Sequence, residues 1–211
     1  MARLVSVNVG RPQPVGARRG RIVKSAIGKA PVAGRVRVAG VNLDGDDQAD
    51  RSVHGGPDKA IYAYATEDIA WWQAELGREL GPGAFGENLT IEGVDVSGAL
   101  IGEHWRLGTI ELEVCQPRFP CFKLGLRFGD PKMLKRFTQA ERPGAYLRIV
   151  REGEIGAGDA IEVVDRPAHA VTVALVARAV MIDHALLAGA ADAPALPVDL
   201  SNWMRERAAA A

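Results

Sequence analysis

At 211 residues and 47% hydrophobic side chains, the chain suits one globular domain with a smaller appendage and can bury a sizeable core. Its 26 basic and 26 acidic residues cancel, which excludes the basic surplus that non-specific nucleic-acid or anionic-membrane binding requires, though a local basic pocket fits within a neutral total. Two cysteines, Cys115 and Cys121, are too few for a disulfide framework, and free thiols point to a reducing, cytoplasmic setting. The first seven residues alternate like a strand and lack the apolar run of a signal peptide. No segment reaches the roughly 18 consecutive apolar residues of a membrane span.

Apolar runs are short and end at Gly, Pro or Asp, the punctuation of a β-rich fold. Strands are predicted at 4–9, 36–38, 60–65, 103–107, 109–115, 145–151 and 160–164. In the fifth, Ile110, Leu112 and Val114 share one face, with Glu111, Glu113 and Cys115 on the other. A first helix is capped by Thr66, lined by Ile69, Trp72 and Leu76, and ended by Gly77. A second takes Asp130 as N-cap and Pro131 as its first residue, with Met133, Leu134 and Phe137 as its apolar stripe. The segment 151–154 reads as a hairpin turn. After Arg166-Pro167 the chain is Ala-rich and helix-compatible at 172–180, 183–190 and 199–208. The expected fold is mainly β with helices (α+β): a β-barrel-like core at 1–166 and a small three-helix extension at 167–211.

Three clusters carry chemistry. Cys121 follows a strand in Gln116-Pro117-Arg118-Phe119-Pro120-Cys121, where two prolines stiffen the backbone and Arg118 and Lys123 flank the thiol. Nearby cations favour a thiolate, a soft ligand for heavier transition metals. A free cysteine is equally a small buried hydrophobe, and for Cys115, inside a strand, packing is the stronger reading. Structural zinc is disfavoured, since His54, His104, His169 and His184 are scattered and no CxxC occurs. The second cluster, the stretch 46–60 with His54-Gly55-Gly56 and Lys59, is either a plain surface loop or a backbone that approaches a phosphate or a heterocycle. In the third, Gly81-Pro82-Gly83-Ala84-Phe85-Gly86-Glu87-Asn88-Leu89-Thr90, Asn88 suits reading a heterocycle edge and also an ordinary turn.

Taken together, the stretches Asp46–Asp50 (DDQAD), His54–Tyr64 (HGGPDKAIYAY), Gly83–Leu89 (GAFGENL), Gln116–Leu124 (QPRFPCFKL) and Gly153–Asp159 (GEIGAGD) resemble the MOSC family, domains similar to the C-terminal region of molybdenum-cofactor sulfurase, and most closely its YiiM-type members. The resemblance implies a MOSC-type β-barrel, with the three-helix C-terminal extension, that binds a molybdopterin form of the molybdenum cofactor. It implies reduction of N-hydroxylated compounds, such as hydroxylaminopurine base analogues, as a detoxification. Carried over, Cys121 is the metal ligand and catalytic residue, while His54, Lys59, Asn88, Arg118 and Lys123 join it in binding the cofactor. Arg118 is expected on a phosphate or oxo group and Asn88 on the pterin. His54 is expected to donate a proton to the departing oxygen, because imidazole titrates near neutrality.

The cofactor supplies the redox chemistry, and the protein binds and orients it. With no GxGxxG and no cysteine cluster for iron–sulfur ligation, the chain requires a separate electron-donor reductase. Two other readings stand beside this one. Cys121 would bear a persulfide in a sulfur or cofactor carrier. In a binding scaffold, the C-terminal helices would serve as a docking module, with Trp203 and Met204 either contact residues or core.

Overall fold

The computed structural model describes residues 1–47 and 55–210. In chain order the strands are β1 (Arg3–Val9), β2 (Gln13–Arg18), β3 (Arg21–Ser25), β4 (Ala30–Pro31), β5 (Arg35–Ala39), β6 (Asn42–Leu43), β7 (Ile61–Ala65), β8 (Leu89–Glu92), β9 (His104–Leu107), β10 (Ile110–Pro117), β11 (Ala145–Arg151), β12 (Gly153–Gly156) and β13 (Ile161–Asp165). The helices are α1 (Thr66–Leu76), α2 (Phe122–Phe128), α3 (Met133–Ala140), α4 (Val173–Met181), α5 (Leu187–Ala190) and α6 (Val198–Ala209).

The class is α+β. Eight strands form one sheet in the order β13-β9-β10-β11-β7-β8-β1-β4, antiparallel except for β7 and β8, which α1 links by a crossover. A small sheet, β12-β5-β6, and the hairpin β2-β3 lie beside it. The large sheet curls until its ends meet. No full ladder closes it into a barrel, but Arg3 bridges Ala160 and the Leu4 amide donates to the Asp159 carbonyl at 2.9 Å.

Alternation sets the core. Ile110, Leu112 and Val114 are fully buried, as their period of two requires, while Glu111 and Glu113 are half exposed. The same hydrophobic cluster continues from the sheet into Val173, Val176 and Met204 of the C-terminal helices. Met204 is core, and Trp203 remains 42% exposed. A second cluster packs Trp72, Phe85, Phe128 and Phe137 around Tyr64.

Several expected boundaries move. Ala65 occupies the N-cap position of α1, and the Thr66 hydroxyl turns to Glu67 at 3.1 Å. Gly77 ends that helix in the left-handed region as predicted. Asp130 caps a turn before α3 instead of α3 itself: its carboxylate accepts from the Lys132 amide at 2.8 Å, and the helix starts at Met133. The expected hairpin at 151–154 is absent, because β12 pairs with β5 rather than β11. Gly153 permits that departure. A side chain there would begin 2.3 Å from the Thr109 hydroxyl, the group that accepts from the Glu154 amide. The β2–β3 hairpin and α2 are additional to the predicted elements. Among the described residues, no helix is long and apolar enough to cross a membrane.

Candidate functional site

One end of the large sheet collects the clusters that the sequence singles out. The starts of β7 and β8, the end of β1, the end of β10 and the start of β11 all lie there: Tyr146 pairs with Tyr62, Pro117 with Ala145, and the Asn8 amide donates to the Asn88 carbonyl at 2.7 Å. Between them opens a cleft whose empty space, open solvent at the mouth included, is about 660 Å³. Lys59, Asn88, Arg118, Cys121 and Lys123 all line it. His54, the remaining expected site residue, lies outside the described residues, as does most of the DDQAD run.

The segment after β10 is anchored before it reaches the cysteine. The Gln116 side-chain amide and the Cys115 thiol both donate to the Asp58 carbonyl, at 2.9 and 3.0 Å. Arg118 is buried; it donates to the Phe85 carbonyl and lies 4.9 Å over the Tyr62 ring. A buried guanidinium demands such partners, and cation–π contact supplies one without another ion. Cys121 then turns outward, extended at φ −122°, immediately before α2, and is half exposed.

The two thiols are thus in opposite situations. Cys115 is fully buried, and desolvation pushes its thiol up to about 12, against the lowering influence of Arg148. At neutral pH it is a protonated, packed group. An alkylating reagent applied to the native protein is expected to modify Cys121 and spare Cys115, read by mass spectrometry of the digested chain; equal labelling of both would contradict this burial.

Asn88 does not project freely into the cleft. Its Oδ1 accepts from the Tyr62 amide at 3.1 Å, and its Nδ2 donates to the Asn8 carbonyl and to Asp46 Oδ2, at 3.3 and 2.9 Å. Asp46 in turn accepts from the Gly10 amide at 2.7 Å and pairs with Lys29. Both members of that ion pair are nearly inaccessible, and burial lowers the Lys29 pKa while Asp46 opposes the shift. The result is a polar wall joining β1, β7 and β8. Tyr62 and Tyr146 complete the buried side of the cleft, both phenols pushed upward by desolvation and so neutral.

The GAFGENL loop fits against residues 27–29 only because of its glycines. At Gly83 (φ +82°) a β-carbon would lie 2.5 Å from the Lys29 carbonyl, and at Gly86 (φ +78°) 2.8 Å from the Ile27 side chain. Inside the loop, Glu87 is fully buried and accepts from the Gly83 and Phe85 amides and the Thr90 hydroxyl.

Sequence reasoning missed Lys29, Asp46, Tyr62 and Tyr146 as lining residues. Asp46 stood within the quoted DDQAD run, and Tyr62 within HGGPDKAIYAY. Lys29 carries no local signal, because its partner is distant in the chain.

The sequence profile of the MOSC domain matches residues 50–162, more than half of the chain. The chain belongs to the MOSC domain family. YflK of Bacillus subtilis is 36% identical over 170 residues, covering 81% of this chain and 76% of YflK. A protein of Gibberella moniliformis named "Reductase" is 38% identical over 168 residues, which are 78% of this chain but only 29% of that protein. Among solved structures, YiiM from Geobacillus stearothermophilus superposes with a TM-score of 0.81 at 31% identity, over 99% of this chain and all of that one. MOSC domains as a family are associated with the molybdenum cofactor, and the donors of this MOSC cleft suit such a group. A half-exposed thiol offers a soft ligand, and Lys59, Arg118 and Lys123 offer cations for a phosphate.

Proposed function

We propose that the protein is a cytoplasmic, molybdenum-cofactor-dependent reductase of N-hydroxylated compounds, supplied with electrons by a separate donor. The observation that carries this reading is a half-exposed Cys121 thiol in the lining of a cleft that also gathers Lys59, Arg118 and Lys123. When bound, the cofactor would supply two-electron redox chemistry. The chain does the rest. Cys121 ligates, Lys59 and Lys123 receive the anionic end, and Arg118 adds positive potential from within the wall. Asn88 acts through Asp46 and the backbone of β1 and β7, which it holds in place. The unit comprising residues 1–166 carries the site, with 167–211 as its extension.

The test is purification from cells that make the cofactor, followed by metal and pterin analysis and a benzyl viologen assay on hydroxylaminopurine. Stoichiometric molybdenum and formation of the amine are expected. Cyanide-labile sulfur on Cys121 without molybdenum would replace this reading with that of a sulfur carrier.

Reduction of an N–O bond consumes protons, and His54 is assigned as the donor to the departing oxygen. Its place in the HGG run motivates that role. His54→Gln is expected to lower kcat by about 10²-fold and to remove the near-neutral limb of the pH profile. Full turnover with an unchanged profile would end the assignment.

A further inference from the structure

Nine of the chain's 26 basic residues, and none of its 26 acidic ones, lie in the first 43 positions. Neutrality therefore conceals a polarised molecule. Three of the nine are consumed within the fold: Arg3 pairs with Glu92, Lys29 with Asp46 and Arg35 with Asp159. Five others, Arg11, Arg18, Arg19, Arg21 and Lys24, are exposed along the β2–β3 hairpin and its approach. Among the described residues none of these five makes an ion pair.

The hairpin is fixed in place beside the cleft. Arg18 lies 4.2 Å over the ring of Phe122, the residue after Cys121, and a β-carbon on Gly16 would touch Leu126 of α2 at 3.3 Å. From the end of β3 the chain runs straight into the cleft wall through Ser25, Ala26 and Ile27. Amid the cations, Ile22 is 73% exposed. Clustered like charges repel one another, and a solvated two-stranded ribbon gains little from them. Their folding role is slight, and their position is at the rim of the site.

We propose that this basic hairpin is the docking surface for the acidic face of a protein electron donor; the donor's role rests on the reductase reading above. The patch is short, about 20 Å along β2 at the usual rise per residue. Beyond the first 43 positions acidic residues outnumber basic ones, 26 to 17, so the positive surplus is local. A folded partner with a local acidic face matches a local patch. Ile22 gives that interface an apolar centre within a charged rim, and complementary charge accelerates encounter.

Two small acidic electron-transfer proteins, a flavodoxin and a plant-type ferredoxin, serve as probes in calorimetric titrations of the full chain. At least one is expected to bind, more weakly as salt rises. The Arg19→Glu/Arg21→Glu double variant, altered only at the exposed turn, should weaken binding about tenfold or more and flatten the salt dependence. Arg207→Glu on α6 should change neither, and unchanged thermal unfolding would show all variants folded. With the cofactor-loaded protein, turnover driven by the bound probe should fall in parallel, while turnover driven by benzyl viologen stays constant. The proposal is overturned if neither probe binds, or if the double variant binds as the parent does. It is also overturned if duplex DNA or phosphatidylserine vesicles bind through the hairpin while both probes do not. Hairpin-dependent probe binding without turnover from any donor would sink the reductase reading and leave the docking surface standing.

Discussion

Cys121→Ser is expected to remove bound molybdenum and, with it, all turnover. The side chain remains the same size and stays half exposed before α2, so the fold should be indifferent to the change. A neutral hydroxyl does not replace a thiolate as a soft ligand. Loss of an outer partner to a metal ligand already costs about 10–100-fold in affinity or activity, so loss of the ligand itself should cost at least the upper figure. Metal analysis and the viologen assay read the outcome, with thermal unfolding as the control for folding. Cys115→Ser is the informative contrast. That thiol is buried within hydrogen-bonding reach of two backbone carbonyls, so its replacement should leave molybdenum content alone and touch only stability. A Cys121→Ser protein that retained stoichiometric metal would dismiss Cys121 as the ligand and the function built upon it.

How far the sequence disclosed this arrangement depends on how local each signal was. Strands with clean alternation, such as β10 from Ile110 to Val114, were legible because period two is a property of a few adjacent residues. The β2–β3 hairpin was not. Gln13–Arg18 contains Pro14 and Gly16 and buries neither face, so no hydrophobic pattern marks it. The helix that begins at Phe122 was hidden by Pro120 before it and Gly125 within it. Gly125 is there for packing, as a side chain would meet the Asp130 carbonyl at 3.1 Å. At the site, Cys121, Arg118 and Lys59 were readable from their motifs and do line one cleft. Asn88 was named for the pterin, yet its amide is engaged by Tyr62, Asn8 and Asp46. The sequence marks a residue as special without saying whether it faces the ligand or the wall. Lys29, whose partner Asp46 is seventeen residues away, belongs to a class of feature that only tertiary structure brings together.

The same distinction makes Glu87 the most consequential wall residue. Glu87→Ala would strand the Gly83 and Phe85 amides and the Thr90 hydroxyl without a buried acceptor. At about 1–3 kcal/mol for each unsatisfied group, a loss of about 3 kcal/mol or more is expected. The damage should reach the cleft, because the loop carries Phe85, whose carbonyl receives Arg118, and leads into Asn88. Glu87→Gln keeps one acceptor and is milder. It also isolates the charge, since burial raises the Glu87 pKa above its ordinary value despite the hydrogen bonds it accepts. Between the ordinary and the raised value the native state binds more protons than the unfolded one, so this group's contribution falls as pH rises through that window. It is complete below the ordinary carboxylate value and gone above the raised one. Urea unfolding across a pH series should therefore show the parent losing its advantage over Glu87→Gln on moving from acid towards neutral pH. An advantage that grew would mean that the three hydrogen bonds outweigh desolvation and hold Glu87 as a low-pKa carboxylate, and one that stayed constant would mean that the two effects cancel.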